Sequence, residues 1–332
     1  MNPMGLLSPH QRGGVGLIRS KVLYQTQISK DELIRLFLDD IETRGVTIKT
    51  VKNYGSCLKI FFNNIQKHPF EITISDFIAF LKLCKKRNYT ESTINNYFSA
   101  FYSFFDYLEF EEYIDKSIVP KFRKRYLKNL RRRYRSDDSM RKLISVEEMS
   151  RYVNSIIDPR DKAVVVLLAK TGIRRGELIN IDVGDINWVK HSIELKPKAK
   201  RTNRIVFFDD ECARVLKRWL NVRDSYNKKN IKALFINERG QRLQGNGILN
   251  LVTKYAERLG LHDPESERIE DHFTPHCFRH WFTTHLMRNG MPREYVKELR
   301  GDSRGEAIDI YHHIDKKDLR ERYLACIPKL GI

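Results

Sequence analysis

Long apolar runs are absent from this sequence of 332 residues. No stretch approaches the roughly 18 apolar residues that a membrane-spanning helix needs, so we expect no membrane partner. The first 20 residues hold a two-leucine apolar stretch and do not resemble a secretion signal. Repeats of the period found in solenoid proteins are also absent, which argues against a repeat-array fold.

Cysteine is scarce and scattered. The five cysteines, at positions 57, 84, 212, 277 and 326, form no CxxC pair. An odd number at irregular spacing favours reduced thiols over a disulfide framework. We therefore expect a cytoplasmic protein.

Acidic residues are too few to balance the basic ones. The sequence has 61 Lys and Arg against 42 Asp and Glu, a formal net charge of +19. Such a surplus favours a polyanionic partner, because neutralising phosphates releases counterions and drives binding. Nucleic acid is the expected partner, and a basic protein without one is the alternative.

Residues 29–115 show four amphipathic helical patterns in succession, after an N-terminal arm over residues 1–28 that we expect to be flexible. A capping box from Ser29 to Glu32 opens the first pattern. The fourth, residues 91–108, is rich in aromatic side chains, which could stack on bases. Rings at helical spacing are more often core, so we predict a compact four-helix domain.

A strongly basic segment follows this domain. Between residues 121 and 135, nine of fifteen residues are Lys or Arg. Such runs are often merely solvated, and they also serve as nuclear-localisation signals. Because this run joins two predicted domains of a basic chain, we predict a linker over residues 116–143 that contacts DNA phosphates. The predicted DNA-binding residues are Lys121, Arg123, Lys124, Arg125, Lys128, Arg131, Arg132 and Arg133.

The second half, residues 144–332, mixes helical and strand patterns. A capping box from Ser145 to Glu148 opens it. Two β-like runs, residues 191–195 and 204–208, predict a hairpin with a basic loop. Helical patterns dominate the rest. The sequence therefore predicts a mainly α protein with an α+β second domain that holds a small antiparallel sheet.

Three short segments of the second half carry residue types that act on phosphates. They are TGIRRGEL at 171–178, HCFRH at 276–280, and RGD at 300–302 with a tyrosine nine residues later. In this order they resemble the boxes of the tyrosine recombinases (the phage-integrase family), with XerC/XerD-like and archaeal integrase-like members. The resemblance covers residues 29–328. It implies a helical SAM-like core-binding domain over 29–115 and a catalytic domain over 144–332.

The resemblance implies DNA cleavage and rejoining through a 3′-phosphotyrosine, with Tyr311 as the nucleophile. Arg174 and Arg279 are expected to hold the phosphate, because guanidinium groups bind its oxygens bidentately and stay charged. Arg175 is the fallback for the first of these positions. Tyr323 is the nearest rival nucleophile, but its spacing along the last helix is typical of packing.

Further site residues follow from the same boxes. His276 titrates near neutrality and is expected to assist the tyrosine or bind the phosphate, with His280 supporting the site. Glu177 is expected to orient or neutralise an arginine. In the family, a lysine of the hairpin loop protonates the departing 5′-oxygen. The loop here offers Lys196, Lys198 and Lys200. Lys198 is preferred for this role, and Lys200 is the alternative.

One position departs from the family. The usual Leu-Gly-His is RGD at residues 300–302 here. The usual histidine donates a hydrogen bond to the phosphate, whereas the carboxylate of Asp302 would repel it. Three explanations stay open. Asp302 turns away to pair with Arg174, Arg279 or Arg304, or a histidine at 312 or 313 supplies the donor, or the enzyme is weakened.

The resemblance further implies double-stranded DNA as the partner and a homotetramer on two duplexes. The last helix docks either on a neighbouring protomer or on its own. Because a phosphotyrosine conserves the bond energy, neither a metal nor another cofactor is expected. We expect a nucleoid-associated protein of a prokaryote, a virus or a plasmid.

Two other functions stay open. His276 and His280 lie four residues apart, as helical zinc ligands do, although Cys277 stands where a metal hydrolase has glutamate. A catalytically weakened DNA-binding protein of the same fold is the second alternative, because of Asp302.

Overall fold

The computed structural model describes residues 28–128, 142–197, 204–227, 229–266, 268–302 and 314–332. The chain divides into two compact units, Met1–Asp138 and Ser139–Ile332. Among the described residues, no helix is both long enough and apolar enough to cross a membrane.

Helices form the first unit, as the sequence predicts. At the start of the first helix, Ser29 Oγ accepts the backbone N–H of Glu32 at 3.2 Å. At the start of the fourth, Thr90 Oγ1 accepts that of Thr93 at 3.2 Å. Both are N-caps that satisfy a backbone donor of the first turn. The helices are α1 Lys30–Thr43, α2 Ile48–Ile65, α3 Ile74–Lys86, α4 Glu91–Phe110 and the short α5 Val119–Phe122.

The aromatic side chains of α4 build the core of this unit. Phe98 and Phe101 are fully buried, and the ring of Phe61 on α2 lies 4.5 Å from that of Phe101. The predicted aromatic core is therefore confirmed for most of these rings. Tyr102 differs, being 41% exposed, with the guanidinium of Arg123 5.7 Å from its ring centre.

The first part of the predicted linker is helical. Helix α5 continues into a π-type turn, Arg123–Leu127, and both Phe122 and Leu127 are buried in the core of the first unit. Lys121 and Lys124 are exposed. The apolar residues thus attach the segment to this unit and leave cations at the surface. The contact of this segment with DNA phosphates stays a prediction. Three of the predicted DNA-binding residues, Arg131, Arg132 and Arg133, lie outside the described residues.

Helices also dominate the second unit. The predicted capping box is present, since the Glu148 carboxylate accepts the Ser145 N–H at 2.8 Å and Ser145 Oγ accepts the Glu148 N–H at 3.1 Å. The helices are α6 Val146–Asn154, α7 Pro159–Thr171, α8 Arg175–Ile179, α9 Asp210–Tyr226, α10 Gly245–Arg258, α11 Pro275–Arg288, α12 Arg293–Arg300 and α13 Lys316–Cys326.

A small antiparallel sheet accompanies these helices. Ile193 of the middle strand pairs with Ile186 on one side and with Val206 on the other. The predicted fold class and its hairpin are confirmed, and the loop at residues 198–203 lies outside the described residues. The strands are β1 Ile186–Asn187, β2 Ser192–Glu194 and β3 Ile205–Phe207, in that order.

Helix α7 runs through the core of the second unit. Residues 163–171 are all buried, and the helix packs against α9 and α11. A helix that is apolar on every side is typical of one enclosed by others. The buried end of α7 therefore holds the turn that follows it in a defined position.

The C-terminal residues pack on their own unit. Tyr323 of α13 is fully buried beside Phe282 of α11, and its hydroxyl donates to the Lys170 carbonyl at 2.8 Å. Beyond α13, the Glu211 carboxylate accepts the backbone N–H of Leu330 at 2.9 Å. In this single chain the last helix packs on its own unit, and docking on a neighbouring protomer stays a prediction.

Candidate active site

Helix α7 ends in a turn that presents Arg174. Gly172 has φ +58°, and a Cβ there would lie 2.4 Å from Cδ1 of Phe282. Only glycine combines this left-handed backbone with so close an approach. The chain therefore leaves α7 here and enters α8 with Arg174 as the N-cap residue.

Glu177 lies beneath Arg174 and is almost fully buried. Its carboxylate accepts the backbone N–H of Arg174 at 2.7 Å and Nη1 of the same residue at 3.1 Å. One acidic side chain thus holds both the backbone and the guanidinium of Arg174. These contacts fit the role expected of Glu177, which is to orient or neutralise an arginine. The role itself stays a prediction.

Arg279 reaches the same place from α11. Its side chain is only 5% exposed. Nη1 donates to the carbonyl of Gly172 at 2.9 Å, and Nη2 donates to that of Arg300 at 2.9 Å. Burial lowers the pKa of Arg279 to about 10, and the positive charges of Arg174 and Arg300 add to this effect. Arg279 is therefore a fixed cation in a site already rich in positive charge.

Asp302 lies between the two arginines. Its Oδ1 accepts Nη2 of Arg174 at 3.1 Å and Nη2 of Arg279 at 2.7 Å. Of the explanations offered for this residue, the structure has the pairing with Arg174 and Arg279. The carboxylate does not turn away from the site to do so, however, but occupies it. Arg304 and the histidines at 312 and 313 lie outside the described residues.

Arg300 contributes a third guanidinium group to the site around Asp302. The sequence motifs do not predict this residue. Its Nε lies 2.9 Å from Oδ2 of Asp302. The signal that was available is its position, because Arg300 stands where the family usually has the leucine of Leu-Gly-His. Arg300 replaces the apolar leucine of the family pattern, and Asp302 replaces its histidine. Because the two side chains have opposite charges and contact each other, they form a paired substitution.

The two predicted histidines lie on α11 with Arg279. His276 is exposed in the first turn of the helix, three residues before Arg279. His280 is half-buried, and its Nδ1 lies 3.2 Å from Oγ1 of Thr284. Their expected roles stay predictions.

The predicted nucleophile and the preferred general acids, Tyr311, Lys198 and Lys200, lie outside the described residues. Their rivals are described. Lys196, at the start of the hairpin loop, forms an ion pair with Asp182. Tyr323 is fully buried, which raises its pKa well above 10, and a buried phenol with a raised pKa is a poor nucleophile. The packing role inferred for Tyr323 is confirmed.

Groups of three or more metal-binding side chains are absent from the described part of the chain. Among those residues, His276 and His280 therefore belong to no such group. The chemistry that the described residues offer is the binding of an anion by guanidinium groups.

Comparison with known families and proteins gives consistent results. Residues 138–318 match the phage integrase family, and residues 33–115 match its N-terminal SAM-like domain. The tyrosine recombinase XerC of Herpetosiphon aurantiacus is 30% identical over 82% of this chain and 86% of its own. The tyrosine recombinase XerD of Oceanobacillus iheyensis is 28% identical over 86% of this chain and 94% of its own.

Solved structures share the fold at lower identity. The Tn1549 transposon integrase in complex with circular intermediate DNA has a TM-score of 0.63 at 19% identity, over 88% of this chain and 98% of that one. A lambda integrase dimer bound to a COC′ core site has a TM-score of 0.65 at 15% identity, over 92% and 84%. Because the family match spans more than half of the sequence, the chain belongs to the phage integrase family and is a tyrosine recombinase.

Proposed function

We propose that this protein is a site-specific recombinase that cleaves and rejoins double-stranded DNA through a 3′-phosphotyrosine at Tyr311. One observation carries the proposal. Arg174 and Arg279 are 105 residues apart in sequence, yet their guanidinium groups meet at a single carboxylate oxygen, at 3.1 and 2.7 Å. Two fixed cations converging on one oxygen are suited to a phosphodiester.

The two arginines serve the step in which charge builds up on the phosphate. Attack on phosphorus adds negative charge to the non-bridging oxygens in the transition state. Guanidinium groups that are already in place stabilise that charge without reorganising, and each such donor is worth about 10²–10³ in rate. Glu177 holds Arg174 in position, and the carbonyl of Gly172 holds Arg279.

Tyr311 supplies the nucleophile in this proposal. Its phenolate attacks phosphorus, the bond to the 5′-oxygen breaks, and Lys198 or Lys200 protonates the departing oxygen. Attack by a 5′-hydroxyl reverses the step and releases the tyrosine, so the DNA is rejoined. Tyr311 lies nine residues after Asp302, and a nine-residue chain spans up to about 30 Å, so it can reach the arginines. His276, one helical turn before Arg279, assists the phenol or binds the phosphate.

The charge of the chain supports duplex DNA as the substrate. The net charge of +19 favours a polyanion, and Lys121, Lys124, Arg125 and Lys128 are exposed on the basic segment of the first unit. We further propose that the protein acts as a homotetramer on two duplexes and performs integration, excision or resolution.

The test is a covalent adduct. Duplexes selected by binding from a random-sequence pool give the target, and nicked versions of it trap any protein–DNA intermediate. We expect wild-type protein to form an adduct that survives denaturation, and Tyr311→Phe to form none. Tyr323→Phe is the matched control and keeps the adduct, because that hydroxyl is buried. An adduct with Tyr311→Phe would refute the assignment.

A catalytically weakened DNA-binding protein of the same fold is the second candidate. The observation that favours it is the carboxylate of Asp302, which occupies both arginines. Selective DNA binding without any adduct would establish this candidate. Adduct formation that continues in excess chelator would contradict the remaining alternative, a metal-dependent hydrolase.

A further inference from the structure

One carboxylate, that of Asp302, is shared by three guanidinium groups. Oδ1 contacts Arg174 at 3.1 Å and Arg279 at 2.7 Å, and Oδ2 contacts Nε of Arg300 at 2.9 Å. The third contact is an ion pair without the directed geometry of a hydrogen bond. Both oxygens of one small anion are therefore surrounded by cations.

Among the described residues, these contacts join three guanidinium groups to two carboxylates, those of Asp302 and Glu177. The two acids differ in burial, since the side chain of Glu177 is 3% exposed and that of Asp302 is 31% exposed. Glu177 also accepts the backbone N–H of Arg174, which fixes it. Asp302 is thus the acid that solvent can reach.

The backbone of Arg300 is held at the site. Arg300 is the last residue of α12, and its carbonyl accepts Nη2 of Arg279 at 2.9 Å. Gly301 ends the helix in the left-handed region, at φ +59°. This turn brings the side chains of Arg300 and Asp302 together beside Arg279.

We propose that Asp302 occupies the place of the scissile phosphate in the DNA-free protein and that Arg300 is a third phosphate-binding residue. This inference rests on the proposed function and deepens it. Arg300 takes over the contact that a histidine at position 302 makes in the family pattern, and Asp302 leaves when the phosphodiester enters.

Charge conservation makes this exchange reasonable. A carboxylate and a phosphodiester each carry one negative charge and two outward oxygens, so the arginines are equally neutralised before and after. Without either anion, three guanidinium groups would repel one another in a partly buried site. Asp302 therefore keeps the arginines in place until DNA arrives, and the phosphate must compete with it.

Inorganic phosphate is the probe, because its binding requires neither DNA nor cleavage. Titration calorimetry at pH 7.5 compares phosphate with chloride at equal ionic strength. If Asp302 fills the site more than nine-tenths of the time, Asp302→Asn binds phosphate at least about tenfold more tightly than wild type. Asp302→His removes the same carboxylate and repeats the test should the asparagine variant fold poorly.

Arg300 is tested in the Asp302→Asn background. Adding Arg300→Gln lowers phosphate affinity about tenfold, the value of one charge-assisted contact. Arg320→Gln is the matched control. It removes the same charge from a residue whose Nε donates to the Lys190 carbonyl, and it leaves the affinity unchanged. No gain in affinity from Asp302→Asn would refute the exchange, and no loss from Arg300→Gln would refute the third contact.

Adduct formation then extends the test to DNA. Asp302→His forms adduct at least as fast as wild type, and Arg300→Gln forms it about 10²-fold more slowly, as loss of one transition-state donor predicts. Loss of adduct formation in Asp302→His would show that the aspartate has a positive role. The proposed function fails by a different result, an adduct in Tyr311→Phe, so the two failures are distinguishable.

Discussion

Two clusters of opposite charges lie in the second unit, and they differ in burial. In the first, the fully buried Lys170 contacts Asp209 at 2.8 Å and Glu211 at 2.6 Å, and Nζ donates to the Pro328 carbonyl at 2.7 Å. In the second, three arginines share Asp302, and the Arg174 side chain is 40% exposed.

The difference separates a structural cluster from a binding one. Around Lys170, the acids are satisfied by the cation and by backbone N–H groups of residues 330–331, and the site is closed. Around Asp302, three guanidinium groups share one carboxylate, and the side chains of Arg174 and Asp302 are partly exposed. The closed cluster joins α7 and α9 to the C-terminal segment, whereas we propose that the more open one exchanges its anion. Comparable contact distances therefore serve different purposes.

The largest effect is expected from Lys170→Met. The change removes the buried cation that Asp209 and Glu211 share, although Asp209 keeps an ion pair with Lys329 at 3.3 Å. Breaking a buried ion pair typically costs about 3–5 kcal/mol in the free energy of unfolding. All three tryptophans of the sequence, at 188, 219 and 281, belong to the second unit, so urea unfolding followed by their fluorescence reports this unit. Arg322→Gln, which removes an exposed ion pair with Asp318 in the same unit, is the control, with a change below about 1 kcal/mol. If Lys170→Met changed the free energy of unfolding as little as the control does, the Lys170 cluster would not be structural.

Arg174→Gln is expected to separate activity from stability. The Arg174 side chain is 40% exposed, and the buried Glu177 keeps the backbone N–H of residue 174, so we expect the free energy of unfolding to fall by about 1–2 kcal/mol. The rate of adduct formation falls about 10²–10³-fold, because a transition-state donor is lost. The same urea titration and a time course on the nicked duplex measure the two quantities. An unfolding change as large as that of Lys170→Met would mean that the arginine cluster is also structural.

Gly172→Ala should affect both properties to a moderate extent. The new methyl group would approach the Phe282 ring far inside contact distance, on a left-handed backbone. Overpacking of this kind costs about 1–3 kcal/mol. Because the Gly172 carbonyl holds Arg279, adduct formation slows as well. Gly184→Ala, where a Cβ meets nothing within 4 Å, is the control. Wild-type values for Gly172→Ala would show that the turn does not position the site.

The smallest effect concerns a buried base on the helix that carries Arg279. Burial lowers the pKa of His285, whose Nε2 lies 3.1 Å from the Ile144 carbonyl oxygen. In the unfolded chain this imidazole has its ordinary pKa of about 6.5 and binds a proton more readily than in the folded chain. The free energy of unfolding therefore falls as pH drops below about 6.5, by at most about 1.4 kcal/mol per pH unit. His285→Gln should flatten this slope between pH 7 and 5.5. An unchanged slope would assign the proton to another group.

Much of the fold could be predicted from local pattern. The four helices of the first unit follow from apolar periodicity and from the cap at Ser29, because both signals act within a few residues. The same pattern did not reveal that Tyr102 is exposed, since a ring on the helix surface keeps the spacing of its buried neighbours. Nor did it show that the basic segment starts as a helix, because charge there obscures Phe122 and Leu127 as core residues.

The active site divides in a similar way. The boxes identified Arg174, Arg279 and the unusual Asp302, because the resemblance marks positions along the chain. They did not identify Arg300, whose importance depends on the turn at Gly301. Tyr311, Lys198 and Lys200 stay predictions.

By itself, the sequence determined the family, the helices with their caps, and the kinds of residue that act on a phosphate, because these are local or additive properties. Only the tertiary structure decided which charges meet. Residues 172, 174, 279, 300 and 302 come together through the packing of α7, α11 and α12, and whether a carboxylate there supports the fold or yields to an anion depends on burial. Burial is a property of the packed chain, and no short segment contains it.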